Sequence, residues 1–185
     1  MRQALIVKLF SFLSALTIVV FAWCQAIFSK EWRATIKERM LGGDWASRAK
    51  FDPNKIRIWI HAASVGEVSG ASPVIKRIKD AYPNVQVFIT TTSTTGKAEA
   101  IKRGLGQEAY LLPLDSKGLM DQAVKKIAPD LFLLFETELW PNLLLSLARN
   151  KAPYSSIIRR ETESLVSQTV SIFMLRFLRA TLSAS

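Results

Sequence analysis

Ile56-Arg57-Ile58-Trp59-Ile60-His61-Ala62-Ala63-Ser64-Val65-Gly66-Glu67 passes from a short β-rich run, Ile56 to Ile60, into a turn of small residues. It leads to Val68–Ala81, where Val74, Ile75 and Ile78 recur at helical spacing. Such a strand, turn and helix begin an α/β unit. The order repeats downstream. Val85 to Thr90 reads as a strand, Gly96 to Gly104 as a helix, Ala109 to Leu112 as a short strand and Lys117 to Ile127 as a helix. Asp130-Leu131-Phe132-Leu133-Leu134-Phe135 is nearly continuous apolar sequence, as a central parallel strand covered on both faces requires, and Leu139 to Arg149 supplies the next helix. The alternation predicts a Rossmann-like parallel sheet. In such sheets ligands gather beyond the carboxyl ends of the strands, so the loops 61–67, 91–95, 113–116 and 136–142 are expected to share one rim.

Outward from this block the composition changes. No charged side chain occurs from Leu9 to Phe28, and about 20 apolar residues in a helix rise roughly 30 Å, the thickness of a bilayer core. Lys8, Trp23, Lys30, Trp32 and Arg33 lie where interfacial anchors belong. Gln25 to Ser29 is too bulky for a signal-peptidase site, which favours an uncleaved anchor over residues 1–29. From Lys30 to Arg57 eight cationic residues face four acidic ones. Beside an apolar anchor, that excess predicts contact with anionic lipid and a globular part on the cytoplasmic side; otherwise these charges solvate a surface helix. The formal net charge of +10 in 185 residues needs an anionic partner, but no nucleic-acid-binding motif accompanies it. The single cysteine, Cys24, excludes an intrachain disulfide, and the chain holds no Walker loop, dinucleotide glycine fingerprint, nucleophile elbow or metal-ligand spacing.

The chemistry-bearing residues fall in the expected rim loops. The small residues around Ser64 and Gly66 let a ligand approach the backbone, and the carboxylate of Glu67 sits where a reacting hydroxyl could reach it. Ser64 and Glu67 also have the spacing of a capping box, which would make both structural. His61, the sole histidine, is either a proton carrier, a substrate donor or a structural ring at a strand end. Thr92, Ser93 and Thr94 offer hydroxyls and amides at a helix N-terminus, as a cradle for an anionic or sugar group or as caps. Glu136 and Glu138 follow the apolar strand with Trp140 and Asn142, so two carboxylates stand near a ring able to stack on a sugar; helix capping explains either acid equally well.

HAASVGE at 61–67, TTTSTTG at 90–96, LPLD at 112–115 and ETELWPN at 136–142 together closely resemble the bacterial 3-deoxy-D-manno-octulosonic acid (Kdo) transferase family. The resemblance includes the N-terminal apolar helix and extends to about Tyr154. It implies the N-terminal half of a GT-B glycosyltransferase that takes Kdo from CMP-Kdo to a lipid A precursor at the inner membrane in lipopolysaccharide synthesis, without a metal or other cofactor. By that resemblance Glu67 is the proton acceptor, Glu136 the transition-state stabiliser, and His61, Ser64, Gly66, Thr92, Ser93, Thr94, Glu138, Trp140 and Asn142 line the substrate site.

The expected organisation is an anchor helix over 1–29, a basic segment over 30–55, an acceptor-binding domain over 56–158 and a divergent tail over 159–185. The donor-binding domain is expected to be absent, so the chain alone is expected to have little activity. In the tail, Val166, Val170, Phe173, Met174 and Phe177 have helical spacing, which fits an amphipathic helix or a non-native ending. The competing function is a membrane-anchored module that holds the lipid acceptor without catalysis.

Overall fold

Nearly continuous burial along the apolar runs sets the sheet. The computed structural model describes residues 16–17, 20–21, 30–40, 49–106, 109–135 and 140–157. Helix α1 (Lys30–Arg39) precedes β1 (Ile56–His61), α2 (Val65–Ala81), β2 (Val85–Thr91), α3 (Thr94–Lys102), β3 (Ala109–Leu111), α4 (Lys117–Ile127), β4 (Leu131–Phe135), α5 (Pro141–Arg149) and β5 (Tyr154–Ile157). All four strand pairings are parallel, in the order β3-β2-β1-β4-β5. The chain winds outward from β1 to β3, then crosses back to place β4 on the other side of β1. Ligands of such sheets bind beyond the carboxyl ends of the strands that flank this reversal, here β1 and β4.

Successive side chains of a strand face opposite sides, and both sides are apolar here. On one face Ile56, Ile58 and Ile60 join Val87, Ile89, Leu131, Leu133 and Phe135 under Val68, Ala71, Val74, Ile75 and Ile78 of α2. On the other, Trp59, Phe88, Phe132 and Leu134 pack beneath Met120, Ala123, Val124 and Ile127 of α4 and Leu143 and Leu147 of α5. Register places Trp59 between Phe88 and Phe132, and the rings meet edge to face at 6.3 and 5.0 Å. Phe88 then stacks on Tyr110 at 5.0 Å, so an aromatic row crosses four strands.

Several boundaries differ from the sequence reading for local reasons. Helices α2 and α3 start before Val68 and Gly96, because Ser64 and Ser93 are their N-caps and accept from the Glu67 and Gly96 amides. Strand β5, which the sequence reading does not assign, pairs with β4 through Tyr154↔Phe132 to Ile157↔Phe135. The basic segment is part of the packing: Phe51 and Ala49 lie against the aromatic face, and Gln86 bonds both Asp52 N, at 3.1 Å, and Lys50 O, at 2.7 Å. Residue 56 therefore begins the sheet, while the core begins earlier. No helix among the described residues is long and apolar enough to cross a membrane. The anchor expected over residues 1–29 lies outside the described residues apart from Leu16, Thr17, Val20 and Phe21, and the tail over 159–185 lies wholly outside them.

Two predictions test this packing. Phe132→Ala should destabilise the domain by about 3–5 kcal/mol in urea denaturation, whereas Lys125→Ala on the exposed side of α4 should stay within about 0.5 kcal/mol. Asp121 ties α4 to α5, with Ser146 Oγ at 2.8 Å and Arg149 Nη2 at 2.5 Å from its Oδ1 and Lys117 Nζ at 3.1 Å from its Oδ2. Burial works to raise this carboxyl, but the hydrogen bonds from Arg149, Ser146 and Lys117 outweigh it and hold it down at about 2. A folded-state value below the unfolded one stabilises above the ordinary carboxylate range. A contribution of roughly 1–2 kcal/mol, discounted for the exposed Arg149, should therefore be lost as pH falls from about 4 towards 2. Comparing acid titrations of wild type and Asp121→Asn checks this: the variant should be weaker at neutral pH and lose less on acidification.

Candidate functional site

Parallel strands deliver their following loops to a single edge, and here those loops are bonded to one another. The backbone of Ala63, just past β1, is the junction. Its carbonyl accepts from Thr92 N at 3.1 Å, Ser93 N at 3.3 Å, Thr92 Oγ1 at 3.0 Å and Ser93 Oγ at 3.2 Å, which clips the β1 loop to the β2 loop. Its N–H donates to Glu67 Oε2, a short hydrogen bond. In return Glu67 N donates to Ser64 Oγ at 3.4 Å. This is a capping-box exchange displaced by one residue, since the carboxylate reaches the amide before the cap rather than that of the cap itself. Capping and a chemical role are compatible for Glu67. One oxygen is fixed by the Ala63 amide, and the other has no hydrogen bond to any described residue.

Gly96 makes the clip possible. A Cβ there would lie 2.9 Å from Ser93 Oγ, 3.3 Å from Ala63 O and 3.4 Å from the carbonyl carbon of Ser64, so only glycine lets α3 come this close. Gly66 differs: an added Cβ would meet only Ser64 Oγ at 3.9 Å, and Ser64, Val65 and Gly66 are all exposed. The fold itself makes no demand for glycine at 66, and the space above that backbone is open to a ligand.

The ring of Trp140 meets that of His61 edge to face, with centroids 6.4 Å apart. His61 is fully buried and its Nδ1 lies 3.0 Å from Thr90 Oγ1. Asn142 is also buried, with its side-chain amide on Asp115: Nδ2 bonds the Asp115 carbonyl at 2.8 Å and carboxylate at 3.3 Å. The same carboxylate receives Asn142 N at 3.1 Å and Leu143 N at 3.0 Å, so Asp115 from the β3 loop caps the start of α5. Burial pushes the Asp115 carboxyl up, and these hydrogen bonds pull against it without cancelling the rise.

The structure thus brings His61, Ser64, Gly66, Glu67, Thr92, Ser93, Thr94 and Trp140 to one rim. Thr92 and Ser93 direct their hydroxyls to Ala63, whereas Thr94 is exposed. Asn142 is at the same edge but turned into the fold. Glu136 and Glu138 lie outside the described residues. Sequence reasoning did not single out Asp115 as a site-forming residue; its partner is 27 positions away, and only its place in LPLD could have drawn attention to it.

Helix α1 docks beside this rim. Glu38 forms a salt bridge with Lys97 of α3 and accepts from Leu111 N at 3.4 Å, while Arg39 Nε donates to Leu112 O at 2.8 Å. Lys30, Arg33 and Lys37 are exposed, and their spacing puts them on one side of the helix.

The family model described as 3-deoxy-D-manno-octulosonic-acid transferase (kdotransferase) matches residues 34–182, so the match continues past Tyr154, to which the resemblance was read from sequence. A curated 3-deoxy-D-manno-octulosonic acid transferase of Haemophilus influenzae is 38% identical over 99 residues, which cover 52% of this chain and 23% of that protein. Its namesake in Bordetella pertussis is 32% identical over 154 residues, 74% of this chain and 35% of the relative. That of Rickettsia bellii is 31% identical over 147 residues, 77% and 34%. The chain spans about a quarter to a third of the length of these relatives.

The two glycines give a paired prediction. Gly96→Ala should lower stability by about 1–3 kcal/mol, because the β1 and β2 loops must separate. Gly66→Ala should stay within about 0.5 kcal/mol of wild type or gain slightly. Thermal or urea unfolding of both variants checks the contrast.

Proposed function

This chain belongs to the 3-deoxy-D-manno-octulosonic-acid transferase family, and we propose that it forms the acceptor-side half of a glycosyltransferase carrying Kdo from CMP-Kdo to a lipid A precursor. The observation that carries the proposal is the position of Glu67. Its carboxylate is held by the Ala63 amide at the mouth of an exposed small-residue turn, in the loop that follows β1 at the reversal of strand order.

In this reading the acceptor sugar hydroxyl approaches over Gly66 and gives its proton to Glu67 as its oxygen bonds the anomeric carbon of Kdo. The bond from that carbon to the CMP phosphate breaks in the same step, and CMP departs with the electron pair. A positioned base contributes about 100-fold to 10,000-fold to such a transfer. The amide bond from Ala63 fixes where the carboxylate stands, and Trp140 supplies an aromatic wall beside His61. The family resemblance assigns transition-state stabilisation to Glu136 and a place in the substrate site to Glu138. No cofactor enters the proposed step.

The proposed setting is the cytoplasmic face of the bacterial inner membrane. The exposed Lys30, Arg33 and Lys37 side of α1 suits an anionic leaflet, each cation contributing about 1 kcal/mol near such a surface. Because α1 is bonded to Lys97, Leu111 and Leu112, that contact would hold the rim close to lipid headgroups.

The test is a chimera in which residues 30–157 replace their counterpart in the Haemophilus influenzae relative, supplied with CMP-Kdo and lipid A precursor. The parent chimera should transfer Kdo. Glu67→Gln, which keeps an oxygen for the Ala63 amide, should cut kcat by about 100-fold or more with an unchanged melting temperature. Acceptor binding with no transfer by a well-folded parent chimera would instead favour a non-catalytic lipid-holding module, and full activity in Glu67→Gln would remove the carboxylate from the mechanism.

A further inference from the structure

The start of α5 breaks a local rule. Its N-cap is Trp140, which has the extended backbone of a cap but gives the helix no side-chain cap hydrogen bond, and Pro141 follows in the first turn. N-caps are ordinarily Ser, Thr, Asp or Asn, whose side-chain oxygen accepts from the second or third amide of the helix. Here those amides belong to Asn142 and Leu143, and both donate to one carboxylate from a distant loop. Asn142 N lies 3.1 Å from Asp115 Oδ2 and Leu143 N 3.0 Å from Asp115 Oδ1. The Asn142 side chain closes the junction through Nδ2, 2.8 Å from the Asp115 carbonyl.

Asp115 comes from the loop after β3, and β2 and β1 lie between β3 and β4 in the sheet. A carboxylate that is 5% exposed is unfavourable unless its oxygens are satisfied, and among the described residues no salt bridge reaches it. The α5 amides and the positive end of the helix dipole supply that satisfaction. A serine or aspartate at position 140 would cap α5 without burying a charge. What the distant cap permits is an indole at that position, and its ring meets His61 edge to face with centroids 6.4 Å apart. Asp121 also ties α4 to α5, but through Ser146 and Arg149, at the other end of the helix from Trp140.

We propose that Asp115 is a positioning residue: by capping α5 from the β3 loop it frees the N-cap for Trp140 and holds that indole beside His61, as a wall against which the acceptor sugar stacks. The stacking rests on the function proposed above; the placement of the ring does not. Asn142 belongs to the same support, because its side-chain amide holds Asp115.

His61 is the sole histidine of the chain, so its carbon-bound ring protons report on the Trp140 ring in proton spectra of the full chain. Trp140→Leu sets the displacement that loss of the indole produces; no displacement there would deny the ring contact and overturn the proposal. Asp115→Asn, which exchanges one acceptor oxygen for an NH2 group, should move the same protons part of the way, while Asp121→Asn should leave them at their wild-type positions. Wild-type positions in folded Asp115→Asn overturn the proposal, and so does an equal displacement in Asp121→Asn, the mark of a general loosening of α5. If Asp115→Asn does not fold, a local cap decides: with Trp140→Ser added the double variant should fold, and its failure to fold would show that Asp115 supports something other than this cap. In the chimera, Asp115→Asn should raise the KM for the lipid acceptor by about 3-fold to 10-fold with a smaller change in kcat, and should add nothing in a Trp140→Leu background. An additive rise would separate Asp115 from Trp140 and contradict the proposal. An inactive parent chimera leaves the spectra as they are, so failure of the functional reading and failure of the distant cap are separately visible.

Discussion

The site depends on the backbone N–H and carbonyl of Ala63. A carbonyl with donors from both Thr92 and Ser93, and an N–H given to Glu67, join the loop after β1 to the loop after β2 and to the first turn of α2. Buried backbone groups must find partners, and these partners are the groups that set the shape of the rim. Gly96 is the steric condition for this junction, because any Cβ would enter the space between Ser93 and Ala63. The sheet beneath supplies stiffness: the Trp59, Phe88, Tyr110 and Phe132 row spans the strands whose ends carry the loops.

Much of the scaffold was legible in the sequence because burial on both faces leaves a plain signature. The apolar runs at 56–60, 85–90 and 130–135 marked β1, β2 and β4, and α4 falls on Lys117–Ile127 as its spacing indicated. Helix starts were read late at α2 and α3, since a cap is a hydrogen bond rather than a hydrophobic repeat. Strand β5 escaped because Tyr154-Ser155-Ser156-Ile157 carries no apolar run; pairing with β4 specifies it. The Asp115 and Asn142 cap was invisible for a different reason: local spacing says nothing of two loops that meet only when α4 and β4 have folded between them.

The site residues divide along the same line. Ser64, Gly66 and Glu67 share a turn, so their proximity follows from sequence. Their relation to Thr92, Ser93 and Trp140 follows from sheet order, which a strand-by-strand reading does not supply. The capping reading of Glu67 occupies one oxygen of its carboxylate and the other has no hydrogen bond to any described residue, so the two readings that sequence set against each other are compatible. Helix α1 adds a connection of another kind, because its Glu38 and Arg39 bond the sheet edge while its exposed cations face outward.

The central claim is that an acceptor sugar settles on the rim organised by Ala63. Titrating a phosphorylated glucosamine disaccharide, the polar part of a lipid A precursor, into isotopically labelled chain while following backbone amides tests it most directly. The account predicts saturable shifts concentrated at Ala63, Ser64, Gly66, Glu67 and the 92–94 loop. Shifts confined to the opposite edge of the sheet, around Asp130, Asn150 and Lys151, would contradict it.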